Sequence, residues 1–336
     1  MRRVSNPPNP WLSNHVEWLE EPPEVELEVY EEHAQRILAT NDSPDVPFTY
    51  SVNPYRGCQH ACAYCYARPS HELLGYGAGT DFESRIVVKL NAAELLRREL
   101  ASRRWRKGRE TIAFSGVTDG YQPLEACYGL TRACFEVCDE FRHPVGVITK
   151  SALVRRDAGL LARMARRGGA HAFVSIPFAD DATARALEPL ASAASARFET
   201  LRALSEAGVP TGVAIAPLVP GLNDAHVPEI LERARAAGAS KAFLVLLRLP
   251  AEVRPVFEER LRAAFPERAD KVLNAMREMR GGQLYRSGFG ARMRGEGARW
   301  EAVKQLFEIQ CRKLGLNARE ETTGGSGAVQ GELFGG

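Results

Sequence analysis

Three cysteines lie within eight residues of one another. Cys58, Cys62 and Cys65 have the spacing C-x3-C-x2-C in the segment NPYRGCQHACAYCY, residues 53–66. Three thiolates in one short loop can surround a soft metal centre. In a four-iron iron–sulfur cluster they would leave one iron without a protein ligand, open to a substrate or cofactor. The spacing also allows a zinc site completed by His60 or His71, or three unrelated core cysteines.

The composition excludes several classes of protein. With 336 residues, 45% hydrophobic and 26% charged, the chain can bury a sizeable core and is not wholly disordered. An odd number of cysteines, seven, favours metal or redox chemistry over a disulfide framework. We find no apolar run long enough for a membrane span and no secretory signal, so we expect a cytoplasmic protein with no membrane partner. The net charge of +2 means that any nucleic-acid affinity needs a local basic patch.

Predicted strands alternate with predicted helices along most of the chain. Apolar, β-branched runs predict strands at 48–52, 111–115, 145–149, 172–176, 211–216 and 242–247. Helices are predicted at 92–102, 124–141, 158–167, 197–207, 226–237 and 256–264, with a short one near 31–39. Six βα units predict an α/β fold with a parallel sheet. The cysteines would follow its first strand, at the edge where such folds place their chemistry. The pattern fits both an open doubly wound sheet and an incomplete barrel.

The composition also divides the chain into four segments. We predict an irregular, Pro- and Glu-rich N-terminal leader at 1–47 and a core domain at 48–266. A C-terminal helical extension follows at 267–318, with helices at 269–280 and 300–314. The Gly- and Thr-rich tail at 319–336 is predicted to be disordered.

Beyond the cysteines, the chain resembles the radical S-adenosylmethionine (SAM) superfamily, in its spore photoproduct lyase-like or "DNA repair photolyase" branch. The resemblance covers roughly residues 45 to 315 and extends from the cysteine segment through TDGYQPLE, ITKSALVRRD, LEPLASAASARFETLRAL and APLVPGLND. It implies a partial (βα)6 TIM-like barrel with the leader and the C-terminal helices packed around it. It also implies an enzyme whose [4Fe–4S] cluster cleaves SAM reductively to a 5′-deoxyadenosyl radical, which abstracts hydrogen from the substrate.

The resemblance assigns roles within the cysteine segment. By position, Cys58, Cys62 and Cys65 would bind the cluster. Tyr64 matches the aromatic residue that packs near the adenine of SAM. Tyr66 matches a tyrosine beside the site and is the candidate catalytic residue, with a packing role as the alternative. An electron donor such as flavodoxin or ferredoxin is implied as a partner.

Five further residues would bind SAM according to the same resemblance. Thr118 and Asp119 follow the second strand and would face the amino group, although Asp119 could simply form an Asx turn. Lys150 and Ser175, at the third and fourth strands, would bind the carboxylate, since a cation and a hydroxyl suit that group. Arg197 would contact the carboxylate or the ribose. Each of the last three could instead be a solvent-facing polar residue.

One position departs from the photoproduct lyases. They carry a hydrogen-donating cysteine three positions before the aspartate of the second-strand motif, where this chain has Gly116. Cys134 and Cys138 share a helix face and are predicted to be core residues. The missing cysteine argues against the photoproduct repair reaction itself, but not against radical initiation. The radical could act on a nucleic acid, or on a peptide, RNA or small metabolite. A non-catalytic, zinc-binding adaptor of a DNA-repair complex is the alternative from another class.

Three segments bear on a nucleic-acid partner. RRELASRRWRKGR at 97–109 is densely basic, and residues 277–299 interleave arginine with Tyr285 and Phe289. Arginine beside stacking aromatics suits phosphates and bases, although a solvated helix face and a Gly-rich connection explain both segments equally well. Near the end, Gln330, Leu333 and Phe334 form a Gln-x-x-Leu-Phe pattern that resembles a peptide for docking on the DNA sliding clamp. An inert tail is the alternative.

Overall fold

A computed structural model describes residues 26–103, 105 and 110–318. The strands of this part are β1 (Glu28–Glu32), β2 (Leu38–Thr40), β3 (Tyr50–Val52), β4 (Tyr55–Arg56), β5 (Arg85–Lys89), β6 (Ile112–Phe114), β7 (Val145–Thr149), β8 (Ala170–Ser175), β9 (Thr211–Leu218) and β10 (Lys241–Leu246). Its helices are α1 (Asp81–Ser84), α2 (Ala92–Leu100), α3 (Glu125–Tyr128), α4 (Leu130–Glu140), α5 (Ala158–Ala165), α6 (Asp181–Leu187), α7 (Ala194–Glu206), α8 (Val227–Ala236), α9 (Val253–Ala264), α10 (Pro266–Glu278) and α11 (Gly297–Leu314). Short 3-10 segments cover Arg68–Leu74, Ala152–Asp157 and Asp224–His226.

Six parallel strands form the body of the protein. The main sheet has the order β10-β9-β8-β7-β6-β3-β2, and only β2 runs antiparallel to its neighbour. A doubly wound sheet reverses its strand order at a switch point. Here each parallel strand pairs with the next one along the chain, as in a barrel, and within the described residues no pairing joins β10 back to β3. This order confirms the predicted partial (βα)6 barrel and excludes the doubly wound alternative.

Aromatic side chains fill the interior of the barrel below its carboxyl end. Phe173 on β8 packs against Phe243 on β10, with ring centroids 5.1 Å apart. Its ring lies over Gly212 on β9, where a Cβ would come within 2.2 Å of the Phe173 ring. Because side chains alternate along a strand, Ser175 points to the same interior two residues further on. Apolar packing therefore closes the middle of the barrel, and polar groups lie at its carboxyl end.

A second, smaller sheet lies beside the barrel and includes part of the predicted leader. In it β1 pairs in parallel with β5, and β4 pairs antiparallel to β5. The predicted short helix near 31–39 is wrong, because these residues contribute to β1 and β2. Both are short edge strands with no clear period, so their conformation depends on partners, β5 and β3, that are distant in sequence.

The predicted helix 124–141 is two helices. Gly129 adopts a left-handed φ of +62° and separates α3 from α4. The fully buried Glu125 caps α4 by accepting hydrogen bonds from the backbone N–H groups of Thr131 (3.0 Å) and Arg132 (3.2 Å). The predicted core role of two cysteines on α4 is confirmed, since both Cys134 and Cys138 are fully buried.

The helices at the end of the described chain extend the barrel. Helix α10 packs on α9, and α11 packs against α8. None of the helices in the part described is long and apolar enough to cross a membrane. The tail with its clamp-like pattern, and residues 104 and 106–109 of the first basic segment, lie outside the described residues. The four segment boundaries stay predictions.

Candidate functional site

The cysteine loop follows β4 and begins with a turn that needs glycine. Gly57 has a φ of +77°, and a Cβ there would lie 2.9 Å from the backbone oxygen of Phe82. The next residue, Cys58, donates its N–H to that same oxygen at 2.8 Å. A second left-handed residue, Ala61 (φ +56°), reverses the chain again. These two turns make the loop compact enough for its three thiols to lie near one another.

All three thiols are free and mostly buried. Cys58 and Cys62 are buried and Cys65 is partly exposed. Burial raises the pKa of the Cys62 and Cys65 thiols, and the neighbouring Cys58 raises them further. A cationic metal centre would reverse this effect and keep the groups as thiolates.

The donor geometry bears on whether the cysteines would hold a zinc ion or an iron–sulfur cluster. In the part of the chain that the structure describes, no three His, Cys, Asp or Glu side chains converge on one ion, as a zinc site would need. The Nδ1 atom of His60 lies instead 3.3 Å from a carboxylate oxygen of Asp119. A cluster of several irons is larger than a single ion and takes thiolates spaced around it. Three thiols of one loop are compatible with such a cluster, and the contact of His60 with Asp119 uses only its Nδ1 atom.

The loop after β6 holds the backbone of the cysteine loop. The Thr118 hydroxyl donates to the Gly57 carbonyl at 2.6 Å, and the Gln122 amide nitrogen lies 3.3 Å from the same oxygen. The Gln122 carbonyl oxygen accepts the N–H of Gln59 at 3.0 Å. Thr118 thus contacts the cysteine loop, not open solvent. Sequence reasoning missed Gln122, although its place four residues after Thr118, in TDGYQPLE, is a usable signal.

Asp119 connects three elements of the site. Its Oδ1 accepts the Thr149 hydroxyl (2.7 Å) and the Tyr121 N–H (2.9 Å), and its Oδ2 accepts the Lys150 N–H at 2.8 Å. The bond from Tyr121 is the Asx turn considered above. Burial alone would raise the pKa of Asp119, but the neighbouring His60 and these donors lower it to about 2.

Acid should therefore destabilise the protein through Asp119. A carboxyl whose folded pKa of about 2 lies below its ordinary 3.8 stabilises the fold above about pH 4. This contribution, about 2 kcal/mol, is lost as the pH falls towards 2. We expect Asp119→Asn to lower the free energy of unfolding at pH 7 and to flatten its pH dependence below pH 4, as measured by urea unfolding of the metal-free protein. Parallel pH curves for the two proteins would contradict this assignment.

Lys150 and Glu188 form a charged pair at the carboxyl end of the barrel. Lys150 Nζ donates to Ser175 Oγ at 2.6 Å, lies 3.8 Å from Glu188 Oε1, and sits 5.7 Å from the centroid of the Tyr64 ring. Burial lowers the pKa of Lys150. Glu188 Oε1 and the Tyr64 hydroxyl are buried without a hydrogen-bond partner among the described residues. A cation, a hydroxyl and two oxygens that lack a hydrogen bond suit a ligand that carries both a carboxylate and an ammonium group.

Arg197 lies behind this pair. Its Nε donates to the Ser192 carbonyl (2.7 Å), its Nη1 donates to the Ser175 carbonyl (3.0 Å), and its Nη2 pairs with Glu188. The side chain is 1% exposed, so it is not a solvent-facing arginine. These contacts orient Glu188, which sequence analysis had not selected. The signal was a glutamate between the apolar residues Leu187 and Pro189.

Tyr66 lies on the open side of the loop. Its hydroxyl donates to the Gly116 carbonyl at 2.7 Å, and its ring is 48% exposed. The guanidinium of Arg248, which follows β10, lies 4.9 Å from the ring centroid. A Cβ at Gly116 would meet nothing closer than Ser51, at 3.9 Å, so space remains beside the tyrosine. Tyr66 is thus adjacent to Gly116, where the resemblance predicted the departure from a hydrogen-donating cysteine.

Comparison with known proteins places the chain in a family. Residues 52–234 match the model of the radical SAM superfamily. An uncharacterised protein of Mycobacterium tuberculosis is 38% identical over 224 residues, which make up 66% of this chain and 65% of that protein. A radical SAM Nα-GlyT isomerase of Pseudomonas phage M6 is 26% identical over 69% of this chain and 46% of its own length. The match therefore spans somewhat less than two thirds of the mycobacterial relative.

Solved structures show the same fold. One mutant of spore photoproduct lyase superposes with a TM-score of 0.63 at 15% identity, covering 86% of this chain and 80% of that one. A second, double mutant of spore photoproduct lyase, with bound AdoMet and dinucleoside spore photoproduct, gives a TM-score of 0.59 at 17% identity, covering 89% and 84%.

The chain belongs to the radical SAM superfamily, as its motifs predicted. Membership implies an iron–sulfur cluster and SAM as cofactors. The type of cluster and the roles of individual site residues stay predictions.

Proposed function

We propose that the protein cleaves SAM reductively at a [4Fe–4S] cluster bound by Cys58, Cys62 and Cys65, generating a 5′-deoxyadenosyl radical that abstracts hydrogen from a substrate. One observation carries this proposal: three free thiols of one loop lie at the carboxyl end of a partial barrel, beside the partly buried Lys150. Such a cluster supplies the electron and an iron without a protein ligand, and the donor could be a flavodoxin or a ferredoxin.

The chain's own residues would bind and orient SAM. Lys150 and Ser175 offer a cation and a hydroxyl to its carboxylate. Glu188 Oε1 offers an acceptor to a donor group of the ligand, and Arg197 holds that carboxylate in place. Tyr64 supplies an aromatic surface for the adenine. Thr118 and Asp119 would act mainly by positioning the loops around the cofactor, since the protein already engages their polar atoms.

The direct test is anaerobic product analysis. The protein is reconstituted with iron and sulfide, given dithionite and SAM, and assayed for 5′-deoxyadenosine. We expect about four irons per chain and product in the wild-type protein. A colourless protein that binds zinc and ignores SAM would overturn the proposal and favour the adaptor.

We propose a nucleic acid as the substrate class, on the evidence of Arg248. The only hydrogen bond described for this guanidinium is to the Met293 sulfur, at 3.6 Å, and its Nε is buried without a partner among the described residues. It stacks on Tyr66, and Phe289 in the nearby Gly- and Arg-rich segment is 62% exposed. An arginine that lies over an exposed tyrosine ring beside the cysteine loop, with a buried Nε that has no partner among the described residues, suits a phosphate with an adjacent base.

Removing the Arg248 charge should weaken nucleic-acid binding. We expect Arg248→Gln to lower the affinity for single-stranded DNA about tenfold at low salt and to reduce the salt slope by about one, because one phosphate contact is lost. Fluorescence anisotropy over a salt series measures both quantities. Arg142→Gln, an exposed arginine just before β7 at the opposite end of the barrel, is the matched control and should bind like wild type. Wild-type protein without affinity at low salt would favour a peptide or small-metabolite substrate.

A further inference from the structure

Two arginines and one glutamate form a buried triad beneath the cysteine loop. Glu83 bridges Arg68 Nη2, at 2.6 Å, and Arg260 Nη2, at 2.5 Å, using one carboxylate oxygen for each. The side chains of Arg68, Glu83 and Arg260 are 0%, 6% and 5% exposed. The triad joins the segment after the cysteines to helix α9. Two cations against one anion leave one positive charge in surplus inside the protein.

Both guanidinium groups hold the backbone of the cysteine loop. Arg68 donates to the Cys62 carbonyl through Nε (3.0 Å) and Nη2 (2.9 Å). Arg260 Nη1 donates to the carbonyl of Ala61, the left-handed residue that reverses the loop. The ring of Phe82 lies 5.3 Å from the Arg68 guanidinium and packs in one cluster with Cys58 and Cys65. The triad thus contacts the loop directly on the protein side.

A purely structural ion pair does not explain the surplus charge. One arginine with Glu83 would be neutral, and a second buried cation costs desolvation energy unless an anion compensates for it. The three cysteines provide that anion once they are thiolates. Adding an electron to an iron–sulfur centre makes it more negative, and nearby positive charge favours the reduced form.

We propose that the Arg68–Glu83–Arg260 triad positions the cysteine loop and raises the reduction potential of the centre that it holds. This inference rests on the proposed function. It assigns the three residues a supporting role, because the two arginines bond backbone carbonyls of the cysteine loop and Glu83 bonds the arginines. It predicts shifts of opposite sign for two variants of the same triad. Arg260→Gln removes the surplus charge and should lower the potential, whereas Glu83→Gln adds to the surplus and should raise it.

The experiment is a redox titration of the reconstituted full-length protein, followed by the electron paramagnetic resonance signal of the reduced cluster. Arg260→Lys keeps the charge and should restore a potential close to wild type, and Arg254→Gln, an exposed α9 arginine paired with Glu258, should change nothing. Iron content and thermal unfolding of the metal-free proteins report separately on folding. If Arg260→Gln does not fold, the pair Arg260→Lys and Glu83→Gln still tests the sign.

The experiment distinguishes failure of the proposed function from failure of this inference. A wild-type protein that takes up no iron would overturn the proposed function and this inference with it. The inference alone would be overturned if the wild-type protein holds a cluster and both charge variants either keep its reduction potential or shift that potential in the same direction. Loss of stability without any change in potential would reduce the triad to a structural role.

Discussion

Replacing any one of Cys58, Cys62 or Cys65 by alanine is expected to abolish 5′-deoxyadenosine formation. A cluster held by three thiolates has no spare protein ligand. The Nδ1 atom of the neighbouring His60 lies 3.3 Å from Asp119, and a single imidazole nitrogen would be a poor replacement for a thiolate ligand. We expect the iron content to fall well below about four per chain and the rate of product formation to fall more than about a hundredfold. Iron analysis and anaerobic chromatography of the product measure the two effects.

The matched control is another cysteine of the same chain. Cys127 on α3 is exposed and lies outside the loop, so Cys127→Ala should keep the iron content and the activity of the wild type. An alanine variant of the loop that retained a full cluster and formed product at the wild-type rate would contradict the ligand assignment for that cysteine.

Replacing Lys150 by methionine should weaken SAM binding without removing the cluster. The ammonium is partly buried and donates to Ser175 Oγ, and burial lowers its pKa, so an anionic ligand beside it would relieve an unfavourable environment. A charge-assisted hydrogen bond to a carboxylate contributes about 1.5–3 kcal/mol, so the affinity for SAM should fall about 10- to 100-fold. Equilibrium binding of SAM to the reconstituted protein measures this directly.

The same experiment needs a readout of the cluster itself. Lys150→Met should keep the wild-type iron content, since Lys150 is not one of the predicted ligands of the cluster. Lys241→Met, at the amino end of β10 and exposed, serves as the control for loss of one lysine. Unchanged SAM affinity, or loss of iron from Lys150→Met, would contradict a role for Lys150 in binding the SAM carboxylate.

Local patterns in the sequence determined the architecture of the core. The three cysteines, with the spacing C-x3-C-x2-C, lie within one short segment of the sequence. Each parallel strand is an apolar run, as expected of a strand that is covered on both faces. For this reason the six strands were predicted within a few residues, and β7 was predicted at its observed bounds, Val145–Thr149. Lys150 and Ser175 were selected by the family resemblance, and the strand pattern explains why they meet, because strand ends of a parallel sheet lie at one edge.

Only the tertiary structure decided which distant residues meet. β1 and β2 are extended because they find β5 and β3, information that no local window of the sequence contains. Arg260 meets Glu83, which lies 177 residues earlier in the chain, and the Ala61 carbonyl, 199 residues earlier. In the sequence Arg68 and Arg260 resemble the many other arginines that lie on helix surfaces. Burial and partner choice are set by packing of elements remote in the chain, so the triad, the Glu188 oxygen without a hydrogen bond and the contact between Arg248 and Tyr66 became visible only in the folded protein.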